Sequence, residues 1–207
     1  MVSAKNAVLK AMDAQPPLED KRRARGAASR RKIIEAMVEL IADGDPDPTA
    51  AVVAAKAGVG IRSVFRNFDD KEALLREIDR LIVEAYSPII YAPFKAPQWK
   101  DQLNELIERR ASVNEAIVVF RVSSLTQRYK SPFVAENLKR LHEREKHHLD
   151  EVLPTALQTS TRFGRMIMLA VSFDNWRLLR EDEGLSKAAT VAAIKETVAD
   201  IIKLAGV

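Results

Sequence analysis

Residues 53–75 read VAAKAGVGIRSVFRNFDDKEALL, and the spacing inside this stretch decides the fold. Thr49 can accept from the exposed amides of a following helical turn, and Val52, Val53 and Ala57 then form one apolar stripe. Gly58 supplies the positive φ that a sharp turn between two helices requires. A second short helix runs from Gly60 to Phe68, with Val64 and Phe68 one turn apart on its inner side. Upstream, Ile33, Ile34, Met37, Val38, Leu40 and Ile41 recur with the helical period, and Gly44 falls where a left-handed cap belongs. Pro46 and Pro48 stiffen the connection. Three short helices with a glycine turn between the last two make a helix-turn-helix.

Working toward the C-terminus, Asp69 is expected to cap a fourth helix with Glu72 three residues on. Ala73, Leu74, Ile78, Leu81, Ile82 and Ala85 then hold one face, and Pro88 is expected to end the helix. Residues 87–97 contain three prolines and no period, which reads as a connection. Beyond it, Leu103, Leu106 and Ile107 form a helical stripe to about Arg110, and Ser112 with Glu115 repeats the capping-box spacing to start another helix through Tyr129. The run Ile117, Val118, Val119 suits a buried strand on propensity alone. Its length and the lack of a strand partner favour helix. Ser131 and Pro132 open a polar-rich helix stopped by Pro154, residues 163–179 form an apolar one, and Ser186 caps the last. The reading is therefore all-α, with about nine helices: a basic N-terminal arm over 1–24, partly flexible or helical, a helix-turn-helix domain over 25–86, and a larger helical domain over 87–207.

Composition narrows the function classes. Of 207 residues 47% are hydrophobic, enough for a true core, and the chain has no cysteine, which removes disulfides, thiol nucleophiles and the commonest zinc sites. The net charge of +4 is modest, but its placement is not even. Between residues 21 and 66 stand Lys21, Arg22, Arg23, Arg25, Arg30, Arg31, Lys32, Lys56, Arg62 and Arg66 against Glu35, Glu39, Asp43, Asp45 and Asp47. A basic stretch is more often a solvated face than a nucleic-acid site, so charge alone does not decide. There is no long apolar run for a membrane, no glycine-rich phosphate loop and no nucleophile elbow. The expectation is a cytoplasmic non-enzyme without cofactor or metal. His142, His147 and His148 stand at steps of five and one, which do not align ligands as a step of four does.

Within the quoted stretch, Val53, Ala54, Ala57, Gly58, Val59, Phe65, Phe68, Asp70, Lys71, Glu72 and Leu74 stand in the order and spacing of one known pattern. The segment resembles the DNA-binding domain of the tetracycline-repressor (TetR-type) family of transcriptional regulators. Gly60 stands where that family usually carries Ser or Thr, Phe65 replaces the usual Tyr, and Arg62 takes a position where a small residue is common. The resemblance implies that Thr49, Phe65, Asn67 and Lys71 touch DNA phosphates. The helix from Gly60 enters the major groove with Arg62, Ser63 and Arg66 outward. Arg22, Arg23, Arg25 and Arg31 can extend the contact as an arm. It further implies a homodimer through the last two long helices, here 163–179 and 188–204, on a near-palindromic operator, with a small-molecule effector. Trp99, Phe120, Arg121, Tyr129, Met166, Phe173 and Trp176 are the expected lining of the effector site, though each aromatic or Met alone is more often core and Arg121 reads equally as a solvent-facing or paired residue. Two readings compete: a small-molecule-binding helical protein whose DNA-binding domain is vestigial, and a nonspecific architectural DNA binder.

Overall fold

A computed structural model describes residues 4–13 and 21–207, with the side chains of Ala4, Asp13 and residues 21–25 outside the description. Among the described residues there are ten α-helices and no strand. These are α1 (Ala4–Asp13), α2 (Lys21–Ala42), α3 (Ala50–Ala57), α4 (Ile61–Asn67), α5 (Lys71–Ile90), α6 (Trp99–Gln127), α7 (Pro132–Asp150), α8 (Arg162–Ala170), α9 (Phe173–Arg177) and α10 (Lys187–Ala205). A single 3-10 turn (Thr155–Leu157) follows α7, and a π-helical segment (Leu178–Asp182) follows α9. The expected all-α fold with an N-terminal helix-turn-helix is what the chain adopts.

The chain forms two compact units, and neither is a continuous stretch. The first comprises residues 1–88 and 116–138, the second 89–115 and 139–207. In the first, Ile33, Met37, Val38 and Leu81 are completely enclosed, with Val53, Val64, Phe68 and Ile78 beside them in the core. Fully burying a side chain of this size contributes about 1.5 to 3 kcal/mol. Helix α1 adds Val8 and Met12 to this core, and Lys5 pairs with Glu39 of α2 at 3.0 Å. In the second unit, Leu103, Leu106, Leu149, Leu157 and Ile167 make the core, joined by Phe173 and Trp176, whose rings stack 6.2 Å apart.

Several boundaries differ from the sequence reading for local physical reasons. Helix α2 begins at Lys21, well before the apolar period starts, because arginine, lysine and alanine propagate a helix without needing burial. Pro88 does not end α5, which runs to Ile90 with the proline inside. Residues 99–127 form one helix and not two. Ser112 and Glu115 are not a capping box: the Ser112 hydroxyl accepts from Lys187 Nζ at 3.1 Å, and Glu115 receives the Arg180 guanidinium at 2.8 and 3.0 Å. The reverse holds at 163–179, where Ser172 interrupts the expected helix by capping Asn175 N at 3.2 Å. Asp70, one residue later than expected, caps α5 by accepting from Ala73 N at 2.7 Å.

A helix-turn-helix surface and its supports

The turn between α3 and α4 is built from backbone geometry. Thr49 Oγ1 accepts from Val52 N at 3.3 Å and so opens α3. Gly58 closes it at φ 65° and ψ 33°, a left-handed conformation that costs an L side chain roughly 1–2 kcal/mol. Gly60 starts α4 with no side-chain cap, as its lack of an oxygen dictates.

Helix α4 is anchored by Val64 and Phe68, which are 5% and 3% exposed. Arg62 and Arg66 are exposed on the opposite side, and Phe65 stands 52% exposed beside them. No hydrogen bond or ion pair to Arg62 occurs among the described residues, whereas Arg66 donates only to Ser63 Oγ at 3.3 Å. The helix is held from behind by Arg30 of α2, a residue that sequence reading counted only as charge. Its guanidinium lies 4.2 Å from the centre of the Phe68 ring, donates to Asn67 O at 2.8 Å and pairs with Glu77 of α5 at 3.4 Å. Burial pulls the Glu77 carboxyl upward, but Arg80 and Arg30 outweigh it and hold the group below the ordinary carboxylate value. No sequence signal separates Arg30 from its neighbours Arg31 and Lys32; only the helical register against Phe68 does.

The other expected DNA contacts are engaged within the chain to differing degrees. Asn67 donates to Ser63 O at 2.7 Å and to Ser29 Oγ at 3.4 Å. Arg31 is paired with Glu35 at 2.7 Å. Arg22, Arg23 and Arg25 fall on the backbone of α2, with side chains outside the described residues. Lys71 is bonded to Asp47 Oδ1, while Lys130 takes Asp47 Oδ2 at 3.0 Å. Burial raises the Asp47 carboxyl, yet hydrogen bonds and charge from the two lysines bring it net below its ordinary value.

Residues 116–138 brace the same unit. Ser123 Oγ donates to Pro46 O at 2.6 Å and Gln127 Nε2 donates to it at 3.2 Å, so the loop ahead of α3 is tied to α6. Ser131 Oγ bonds Glu72 at the start of α5, and also accepts from Val134 N at 3.1 Å. A cavity of about 40 Å³ lies between these helices, lined in part by Ile78, Asp79, Phe120, Ser124, Gln127 and Phe133.

The residues expected around an effector are divided between the units. Phe120, Arg121 and Tyr129 belong to the first and Trp99, Met166, Phe173 and Trp176 to the second. Phe120 lines the cavity just described, whereas Tyr129 is 92% exposed. In the second unit Trp176 lines a smaller cavity of about 10 Å³ with Ile107, Arg110, Asn114 and Ile194, and its buried Nε1 has no acceptor. His148, in the same unit, is buried against Tyr91 with ring centres 4.9 Å apart, while His147 pairs with Glu151 at 3.4 Å. Burial, and then the charge of Arg110, lower the His148 pKa. Among the described residues no group of three or more acidic or histidine side chains is arranged for a metal, and no helix is long and apolar enough to cross a membrane.

A short helix with two buried anchors, outward arginines and a glycine turn before it is the second helix of a helix-turn-helix. Residues 33–78 match the model of the bacterial regulatory proteins of the tetR family. Residues 33–78 thus carry that family's DNA-binding domain, which supports a DNA-binding transcriptional regulator. No curated protein and no solved structure matches it.

Proposed function

We propose that the protein is a homodimeric repressor that binds a near-palindromic operator and is released from it by a small-molecule effector. The observation that carries the reading is the Arg62 and Arg66 ridge, turned outward by the Val64 and Phe68 anchors. An arginine fork onto guanine O6 and N7 is worth about 1 to 3 kcal/mol of discrimination. Thr49, Gly60, Ser63, Phe65, Asn67 and Lys71 are the proposed supporting contacts, with Arg22, Arg23, Arg25 and Arg31 as the proposed arm.

A twofold partner sets two recognition helices about 34 to 36 Å apart, one turn of DNA. Helices α8 and α10 are the proposed interface, supported by Leu169 and Leu204, large apolar residues 69% and 72% exposed on them. The unpartnered Trp176 Nε1, beside Arg110 and Asn114, supports an effector that brings a hydrogen-bond acceptor to this site. Such a ligand acts only by differing affinity for the DNA-competent and DNA-incompetent states.

Selection of bound sequences from a random duplex pool tests the reading. The wild-type chain is expected to enrich a near-palindrome, and Arg62→Ala with Arg66→Ala to lose that preference while remaining folded. Retained sequence preference in the double variant contradicts the assignment of α4.

A further inference from the structure

Residues along an α-helix advance by about 100° each, so α4 presents distinct longitudinal stripes. Val64 and Phe68 form the buried one, and Arg62 and Arg66 lie opposite. Between these two, on one flank, are Ser63 and Asn67, which is engaged with Ser29 and Arg30 of α2. On the other flank are Ile61 and Phe65, one turn apart, 45% and 52% exposed. Single exposed apolar residues need no explanation. Two of them in register beside an arginine ridge form an apolar shoulder on the side of the helix that reads DNA.

Neither side chain carries a donor or an acceptor, so neither can read the polar edge of a base. Among the groups that base pairs present in the major groove, the C5-methyl of thymine is the apolar one. We infer that Ile61 and Phe65 recognise thymine methyl groups, and that the operator half-site therefore places thymine next to the bases or phosphates taken by Arg62 and Arg66. The inference rests on the DNA-binding reading above and adds a base-specific element to it. It also assigns Phe65 to base-edge contact, where the resemblance alone implies phosphate.

The test uses the full chain and the duplex it selects. Replacing thymine by uracil removes the methyl and leaves base pairing intact. Fluorescence anisotropy is expected to show a Kd increase of about fourfold for each methyl that Ile61 or Phe65 covers, the equivalent of ~0.8 kcal/mol per buried carbon. In Ile61→Ala or Phe65→Ala the uracil penalty at the position that residue covers is expected to vanish, while the wild-type chain keeps it. Circular dichroism checks that these exposed-site variants remain folded. Two results overturn the inference while leaving DNA recognition standing: uracil is neutral at every position of a selected operator, or its penalty persists undiminished in both apolar variants. A pool from which no sequence is enriched overturns the DNA-binding reading, and this inference with it.

Discussion

Replacing Asp47 by asparagine separates two roles of one carboxylate. In the folded chain Asp47 Oδ1 holds Lys71 and Oδ2 holds Lys130 at 3.0 Å, with the Asp47 side chain 30% exposed. Ion pairs this open to solvent contribute about 0 to 1 kcal/mol each. Losing both therefore lowers stability by about 2 kcal/mol at most, which for a chain of this length is a fall of up to about 4–8 °C in Tm. The effect on DNA runs the other way. If Lys71 reaches a phosphate, Asp47 competes with that phosphate for the same ammonium, and removing the carboxylate frees the lysine. One added phosphate contact steepens the dependence of log K on log salt by about 0.9. Between 50 and 200 mM salt the affinity advantage of Asp47→Asn over wild type is expected to shrink by about 3.5-fold. Anisotropy titrations at four salt concentrations measure this, with Lys71→Ala added to the variant as the control that restores the wild-type slope. Parallel salt slopes for wild type and Asp47→Asn would refute the competition.

A Cβ at Gly164 would overlap the backbone carbonyls of Gln158 and Leu157. Gly164→Ala is expected to destabilise by ~2 kcal/mol or more in urea unfolding despite alanine's better helix propensity, since backbone cannot yield as a side chain can. Stability should also decline as the medium is acidified through the ordinary histidine value of 6.5, because the folded chain holds His148 neutral and the unfolded chain does not. That loss levels off below the lowered folded-state pKa, and His148→Asn is expected to flatten the urea midpoint across pH 7.5 to 5. Leu169→Glu with Leu204→Glu should convert a dimer to a folded monomer by light scattering, with a matching loss of operator affinity.

How much could be read in advance follows from the range of each interaction. Gly58, Thr49 and Ser186 act within three residues of themselves, and the structure finds all three in their expected roles: a left-handed cap at Gly58 and hydroxyl caps to Val52 and Ala189. Val64 and Phe68 were legible because their spacing matches one helical turn. Ser112 and Glu115 mislead because a capping-box spacing is ambiguous without knowledge of distant partners. Ser112 and Glu115 answer to Lys187 and Arg180, more than sixty residues away. The same limit hid Asp47, whose lysines come from residues 71 and 130, and Arg30, whose role depends on meeting Phe68. Nothing in the sequence distinguishes an exposed Ile61 from a buried one, and its 45% exposure in the fold is what gives it meaning.

The interleaving of the two units has a practical result for anyone dissecting the molecule. Cutting after Pro88 would discard residues 116–138, and with them the Ser123 and Gln127 donors to the Pro46 carbonyl and the Ser131 partner of Glu72. Phe120, Phe133 and Val134 would leave apolar walls facing water around Ile78. An excised N-terminal fragment should therefore melt lower than the parent chain and bind DNA poorly for want of its brace. Genetic fusions that borrow this reader need to retain the chain through Leu138.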